Sequence, residues 1–154
     1  EHHSGYALDF QLDQEGYPWF TGEGDYNWIN ENCYKYGFIQ RYQDEKSEIT
    51  YISGESWHYR YVGIPHAQII YQNNICLEEY ITSLKQYSRE NPLYINDYAG
   101  TRYAVYYVAA SNDDSTNVDI PLHDNDKPYR CSISGNNCDG YIVTVDISAG
   151  EVDE

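Results

Sequence analysis

The sequence predicts an α+β chain, and three observations predict it. Short runs rich in tyrosine, valine and isoleucine read as strand: Tyr103 to Ala109 is strongly strand-forming, and Tyr141 to Ile147 alternates with a period of two. Two other stretches repeat apolar residues at helical spacing: Trp28, Ile29, Cys33 and Tyr36, then Leu77, Tyr80, Ile81 and Leu84. The last third, residues 100 to 154, reads as strand and turn alone.

Near the start, Ala7 and Asp9 point to one face of an extended run and Leu8 to the other. His2 lies an odd seven residues before Asp9, so it shares that face only if the chain bends, and Gly5 can supply the bend. Residues 11 to 24 hold three glycines and a proline, a loop by composition. A helix follows, with Asp25 as N-cap and Gly37 as its stop. Phe38 to Tyr42 reads as a strand, and Ile49 to Ile52 as a second one that pairs beside it and delivers the chain to Glu55. Glu55 and His58 are three apart, so one turn can aim both at a point, with Trp57 between them as a wall against water. Tyr59 to Gly63 is a further strand, Ala67 to Tyr71 and Cys76 to Tyr87 are helical, and Pro92 closes the section. Beyond it, Ser111 to Asn117 is a polar loop and Ser134 to Asn137 a turn between strands. The expected organisation is a catalytic region over 1–90 and a β-rich extension over 91–154.

Composition narrows the function classes. A chain of 154 residues can bury a core without a disulfide framework. It has no Met and opens inside a motif, which points to a processed or cut-down chain with a longer natural N-terminus. Its 25 acidic and 9 basic residues give a formal charge of −16, spread over the whole length. Such a surface repels phosphate backbones and offers no polybasic patch to anionic lipid. Nineteen tyrosines exclude a disordered acidic chain, because their rings can fill a core or line a groove. No apolar run reaches the roughly 20 residues that span a bilayer, and a monomer is expected. Cys131 and Cys138 flank a turn-rich stretch and could be paired or free, whereas Cys33 and Cys76 read as small buried residues.

The chemistry lies in two separated stretches, Glu1-His2-His3-Ser4-Gly5-Tyr6-Ala7-Leu8-Asp9 and Glu55-Ser56-Trp57-His58. Two imidazoles and a carboxylate can supply three ligands of a catalytic zinc, leaving a fourth position for water, and a second carboxylate beside one ligand can deprotonate that water. His2-x-x-Gly5-x-Ala7-x-Asp9 followed by Glu55-x-Trp57-His58 resembles the VanY-like D-alanyl-D-alanine carboxypeptidases, zinc peptidases that trim bacterial cell-wall stem peptides. The resemblance continues through Lys35-Tyr36-Gly37-Phe38-Ile39, Arg41-Tyr42, Arg60-Tyr61-Val62-Gly63, His66-Ala67 and Leu77-Glu78-Glu79-Tyr80.

The resemblance implies a largely antiparallel sheet with packed helices, zinc held by His2, Asp9 and His58, and Glu55 as general base. It implies peptidoglycan stem peptide as substrate and an extracellular or cell-envelope location. Two departures stand out. Ser56 occupies a position where the family usually has Pro, and the family's segment before the first motif, with an arginine that helps bind substrate or stabilise the oxyanion, has no counterpart here. Related zinc peptidases include D,D-dipeptidases and L-alanyl-D-glutamate endopeptidases, and a non-catalytic envelope protein binding zinc or wall peptide is a further alternative.

Each residue also has a plainer reading. His2 and His3 alone would be a terminal tail, His58 a core histidine, and Glu55 and Asp9 two acids among many. His3 falls outside the pattern, and His66 reads as structural ahead of a partner to the site. His123 with Asp124 and Asp126 invites a calcium or zinc reading against that of a solvated acidic turn. Arg41 and Lys46 could form salt bridges or meet a substrate carboxylate; with Trp57 they are the candidates for substrate binding.

Overall fold

In the computed structural model the described residues are 1–123 and 126–148. The chain divides into two compact units, Glu1–Tyr80 and Ile81–Glu154. Both are built on antiparallel sheet, and helices accompany the first, so the fold is α+β.

The first unit carries a three-stranded sheet in the order β1-β3-β2, with β1 at Ala7–Asp9, β2 at Phe38–Tyr42 and β3 at Glu55–Tyr61. Between β1 and β2 the expected helix is broken into a 3-10 turn (Gly24–Tyr26), α1 (Asn27–Asn32) and a second 3-10 turn (Cys33–Tyr36). Asp25 lies inside the first turn and does not cap it: position 23 is the cap, and no side chain bonds there. Gly37 ends the segment at φ 83°, as expected. A side chain there would strike the Tyr61 ring at 2.6 Å, and the Gly37 carbonyl accepts both Val62 and Gly63 N–H.

The expected strand at Ile49–Ile52 does not form. Residues Ser47–Thr50 make a single helical turn, α2, ended by Tyr51 at φ 59°. Short β-branched runs carry no length signal, and here the 3-10 turn at Asp44–Lys46 has already started a helical path. The strand expected from Tyr59 begins earlier, at Glu55, so the second motif lies within β3 and not at its end. α3 spans Ile64–Asn73, longer than the Ala67–Tyr71 core that marked it, with Pro65 in its first turn. α4 spans Leu77–Leu84, and the Glu79 carboxylate accepts the Cys76 N–H at 2.8 Å in half of a capping box. Phe20, Ile39, Tyr59, Ala67 and Ile70 are buried in this unit.

The second unit has a four-stranded sheet in the order β4-β5-β7-β6: Leu93–Asn96, Arg102–Ala109, Gly140–Asp146 and Cys131–Gly135. Ala104, Tyr106, Val143 and Val145 form its core, packed by Val118, Ile120 and Tyr129. The turn between β6 and β7 is closed by Asn136, whose side-chain oxygen accepts the N–H groups of Cys138, Asp139 and Gly140 at 3.0 Å each. Cys131 pairs with Val145 at the far end of β6 from that turn, which separates it from Cys138, and both thiols are free and exposed. Cys33 and Cys76 are free and at least partly covered, as expected.

Candidate active site

Gly5 makes the first half of the site possible. Residues His2–Ser4 form one 3-10 turn, and Gly5 ends it at φ 74° with its N–H on the His2 carbonyl. No atom crowds the position of a Cβ there, so glycine is required by the backbone conformation alone. The turn swings His2 back over β1, where its Nε2 lies 3.3 Å from Asp9 Oδ1.

The second half arrives by register. Asp9 is paired directly with His58 across β1 and β3, and His58 Nδ1 lies 3.0 Å from the same Asp9 Oδ1. In a regular strand Glu55 and His58 would point to opposite faces. The β2–β3 register shifts between Gln40/Tyr59 and Tyr42/Glu55, with two extra residues on β3. The strand is irregular between those pairs, and Glu55 Oε2 lies 3.4 Å from His58 Nδ1.

His2, Asp9 and His58 each offer a ligand atom, all within 4.8 Å of one another, and no other such group occurs among the described residues. Donors bonded at about 2.0–2.1 Å to a tetrahedral ion lie about 3.3 Å apart. The two distances from Asp9, 3.3 Å to His2 and 3.0 Å to His58, lie near that separation.

Around this cluster lies a charged scaffold. Arg41 is 8% exposed; its two Nη groups donate to Glu78 at 3.0 and 2.5 Å, and its Nε donates to Glu1 at 3.0 Å. The other oxygen of Glu1 lies 3.2 Å from His58 Nε2. Burial works against the charge on Glu1 and Glu78, but their bonds to Arg41 outweigh it and hold both carboxyls below the usual range. Arg41 and Lys46 are thus both engaged in ion pairs, Lys46 with Glu79 at 2.9 Å. Trp57 stacks on Trp19 with ring centroids 5.4 Å apart. Ser56 donates to the Phe20 carbonyl at 2.6 Å, an anchor that a proline would lack.

The remaining histidines lie elsewhere. His3 is exposed, and His66 Nδ1 lies 2.7 Å from the Tyr80 hydroxyl, where burial pushes its pKa down to about 4. His123 stacks on Tyr129 at 3.6 Å; of the two acids that suggested a cation beside it, Asp126 is exposed and Asp124 lies outside the described residues. Sequence reasoning missed Glu1 and Glu78. The signal was available in β2, whose burial alternates so that Arg41 sits at a buried position, and a buried guanidinium requires carboxylates.

The VanY D-alanyl-D-alanine carboxypeptidase family model matches residues 1–64, which contain every member of the cluster. A D-alanyl-D-alanine carboxypeptidase of Enterococcus faecium is 40% identical over 148 residues, 94% of this chain and 43% of that protein. The bifunctional D-Ala-D-Ala dipeptidase and carboxypeptidase VanXYC of Enterococcus gallinarum is 40% identical over 95 residues, 58% of this chain and 50% of that protein. Among solved structures, the vancomycin-resistance D,D-dipeptidase VanXYg, in complex with a D-Ala-D-Ala phosphinate analogue, superposes with a TM-score of 0.84. It is 38% identical, over 95% of this chain and 57% of that one. The chain spans about half the length of these relatives. By sequence and by fold, it belongs to the VanY-like D-alanyl-D-alanine carboxypeptidase family.

Proposed function

We propose that this chain hydrolyses the terminal D-Ala-D-Ala bond of peptidoglycan stem peptides, with zinc held by His2, Asp9 and His58 and with Glu55 as general base. The observation that supports it most is the convergence of His2, Asp9 and His58 within 4.8 Å of one another, with a second carboxylate, Glu55, at their edge. Two imidazoles and one carboxylate suit zinc better than the all-oxygen sets that calcium or magnesium prefer. When bound, zinc supplies a Lewis acid and lowers the pKa of a water toward 7. Glu55 accepts the proton of the water that attacks the carbonyl and returns it to the leaving amine. A wall-peptide substrate places the protein in the cell envelope or outside the cell.

A second reading, a D,D-dipeptidase acting on free D-Ala-D-Ala, is favoured by the match to VanXYg along almost the entire chain. Mass spectrometry of products from a zinc-loaded sample separates the two. A carboxypeptidase releases single D-Ala from a pentapeptide stem, whereas a dipeptidase turns over only the free dipeptide. Glu55→Gln is expected to keep zinc and lose about 10²–10⁴-fold in turnover, and undiminished D-Ala release would reject its role. His58→Ala is expected to lose the metal; full zinc occupancy in that variant removes His58 from the ligand set.

A further inference from the structure

We propose that Glu1 is a positioning residue for the metal centre: its carboxylate holds the His58 ring so that the proton sits on Nε2 and Nδ1 is turned toward Asp9 and His2. This role rests on the metal reading above. A neutral imidazole carries one N–H and one lone pair, and the nitrogen that keeps the proton leaves the other to bind an ion. The two nitrogens of His58 face different surroundings. Nδ1 faces the donor cluster, 3.0 Å from Asp9, and Nε2 faces Glu1 at 3.2 Å. An ionised carboxylate can only accept, so Glu1 pairs with an Nε2–H and leaves Nδ1 for the ion.

Glu1 is itself fixed from two directions. Its second oxygen accepts from Arg41 Nε at 3.0 Å, and Arg41 is in turn anchored on Glu78. Its main-chain carbonyl accepts from the Ser4 N–H at 2.9 Å and the Ser4 hydroxyl at 2.6 Å, within the same turn that presents His2. Each carboxylate oxygen has its own donor, and neither can leave without abandoning a buried group.

Glu1→Gln tests this, because it keeps the shape but offers one acceptor oxygen where two donors need one. Arg41 is a permanent donor and claims that oxygen, so the amide NH2 faces the Nε2–H of His58. Zinc affinity, measured in competition with a chromophoric chelator, is expected to fall about 10–100-fold. In zinc-loaded wild type, nitrogen-proton NMR of the imidazoles is expected to show His58 protonated on Nε2, with a proton protected from exchange that becomes labile in the variant. Three results overturn the role: wild-type zinc affinity in Glu1→Gln, a lowered melting temperature in that variant with zinc binding intact, or coordination of His58 through Nε2. A wild-type chain that takes up no zinc overturns the role together with the metal reading, whereas unchanged affinity in the variant overturns the role alone.

Discussion

The two units differ in what they bury. In Ile81–Glu154 the sheet core is aliphatic around one tyrosine: Ala104, Tyr106, Val143 and Val145. In Glu1–Tyr80 Arg41 and His58 are buried alongside Phe20, Ile39 and Tyr59. An unpartnered buried charge costs several kcal/mol, and Glu1 and Glu78 offset that cost by meeting Arg41. The polar cluster of the first unit depends on matched charges, whereas the buried Asp97 and Asn136 of its neighbour in sequence are met by main-chain N–H groups and, at Asp97, the Tyr103 hydroxyl. All three tryptophans, Trp19, Trp28 and Trp57, belong to the first unit, so their fluorescence reads its unfolding.

The largest expected effect follows from breaking that charge match. Arg41→Leu leaves Glu1 and Glu78 facing each other across an apolar side chain, and the stability read by tryptophan fluorescence should fall by about 3 kcal/mol. Both acids remain partly exposed, with side-chain exposures of 21% and 36%, which keeps the figure at the lower end for a broken ion network. An unchanged denaturation midpoint would mean that the network contributes nothing net, and the contrast between the units would lose its basis.

A smaller effect comes from pH. Burial disfavours the His66 imidazolium, so its folded pKa is near 4 against an ordinary value of 6.5. As pH falls through 6.5 the unfolded chain takes up a proton that the folded chain refuses. Stability is therefore full above 6.5, declines between 6.5 and 4, and stops declining from this source below 4. At pH 5 the loss should be about 2 kcal/mol. The lowered carboxyls of Glu1 and Glu78 contribute stability above the ordinary carboxylate range that is lost only at lower pH, so they do not produce this decline. The check is the urea midpoint at pH 7.5 and pH 5: the decline should shrink in His66→Gln, and an equal decline in both proteins would exonerate His66.

What could be read in the sequence follows the same division. Strands β5 and β7 were legible because runs of β-branched and aromatic residues decide them locally, and the Gly5 bend was legible because parity demanded it. The cluster of His2, Asp9 and His58 was legible only as an ordered pattern of residues, since no single histidine announces such a cluster. The route from β2 to Glu55 was misread: nothing in Ile49–Ile52 distinguishes a strand from one helical turn, and its fate depends on the preceding turn at Asp44–Lys46. The bulge in β3 was hidden for a different reason. It is a property of the pairing between two strands, and neither strand encodes it alone. Glu1 likewise stood next to His2 without a visible task until Arg41 and His58 were brought against it.

The smallest expected effect tests the other half of the comparison. Tyr106 is 1% exposed, and its hydroxyl donates to the Asp119 carbonyl at 2.5 Å, tying the segment after β5 back onto the sheet. Tyr106→Phe keeps the ring and its packing but leaves that carbonyl without this donor, which should cost about 1 kcal/mol. Amide exchange in β5 and β7 should accelerate about fivefold where it proceeds by unfolding of the sheet, since that is the same energy expressed as a ratio. Zinc affinity should not move, because no residue of the donor cluster lies in this unit. Exchange at the wild-type rate would show that the bond returns only what the hydroxyl gave up in leaving water. In that event the stability of the sheet rests on apolar packing alone, and the contrast with the charge-matched first unit becomes sharper.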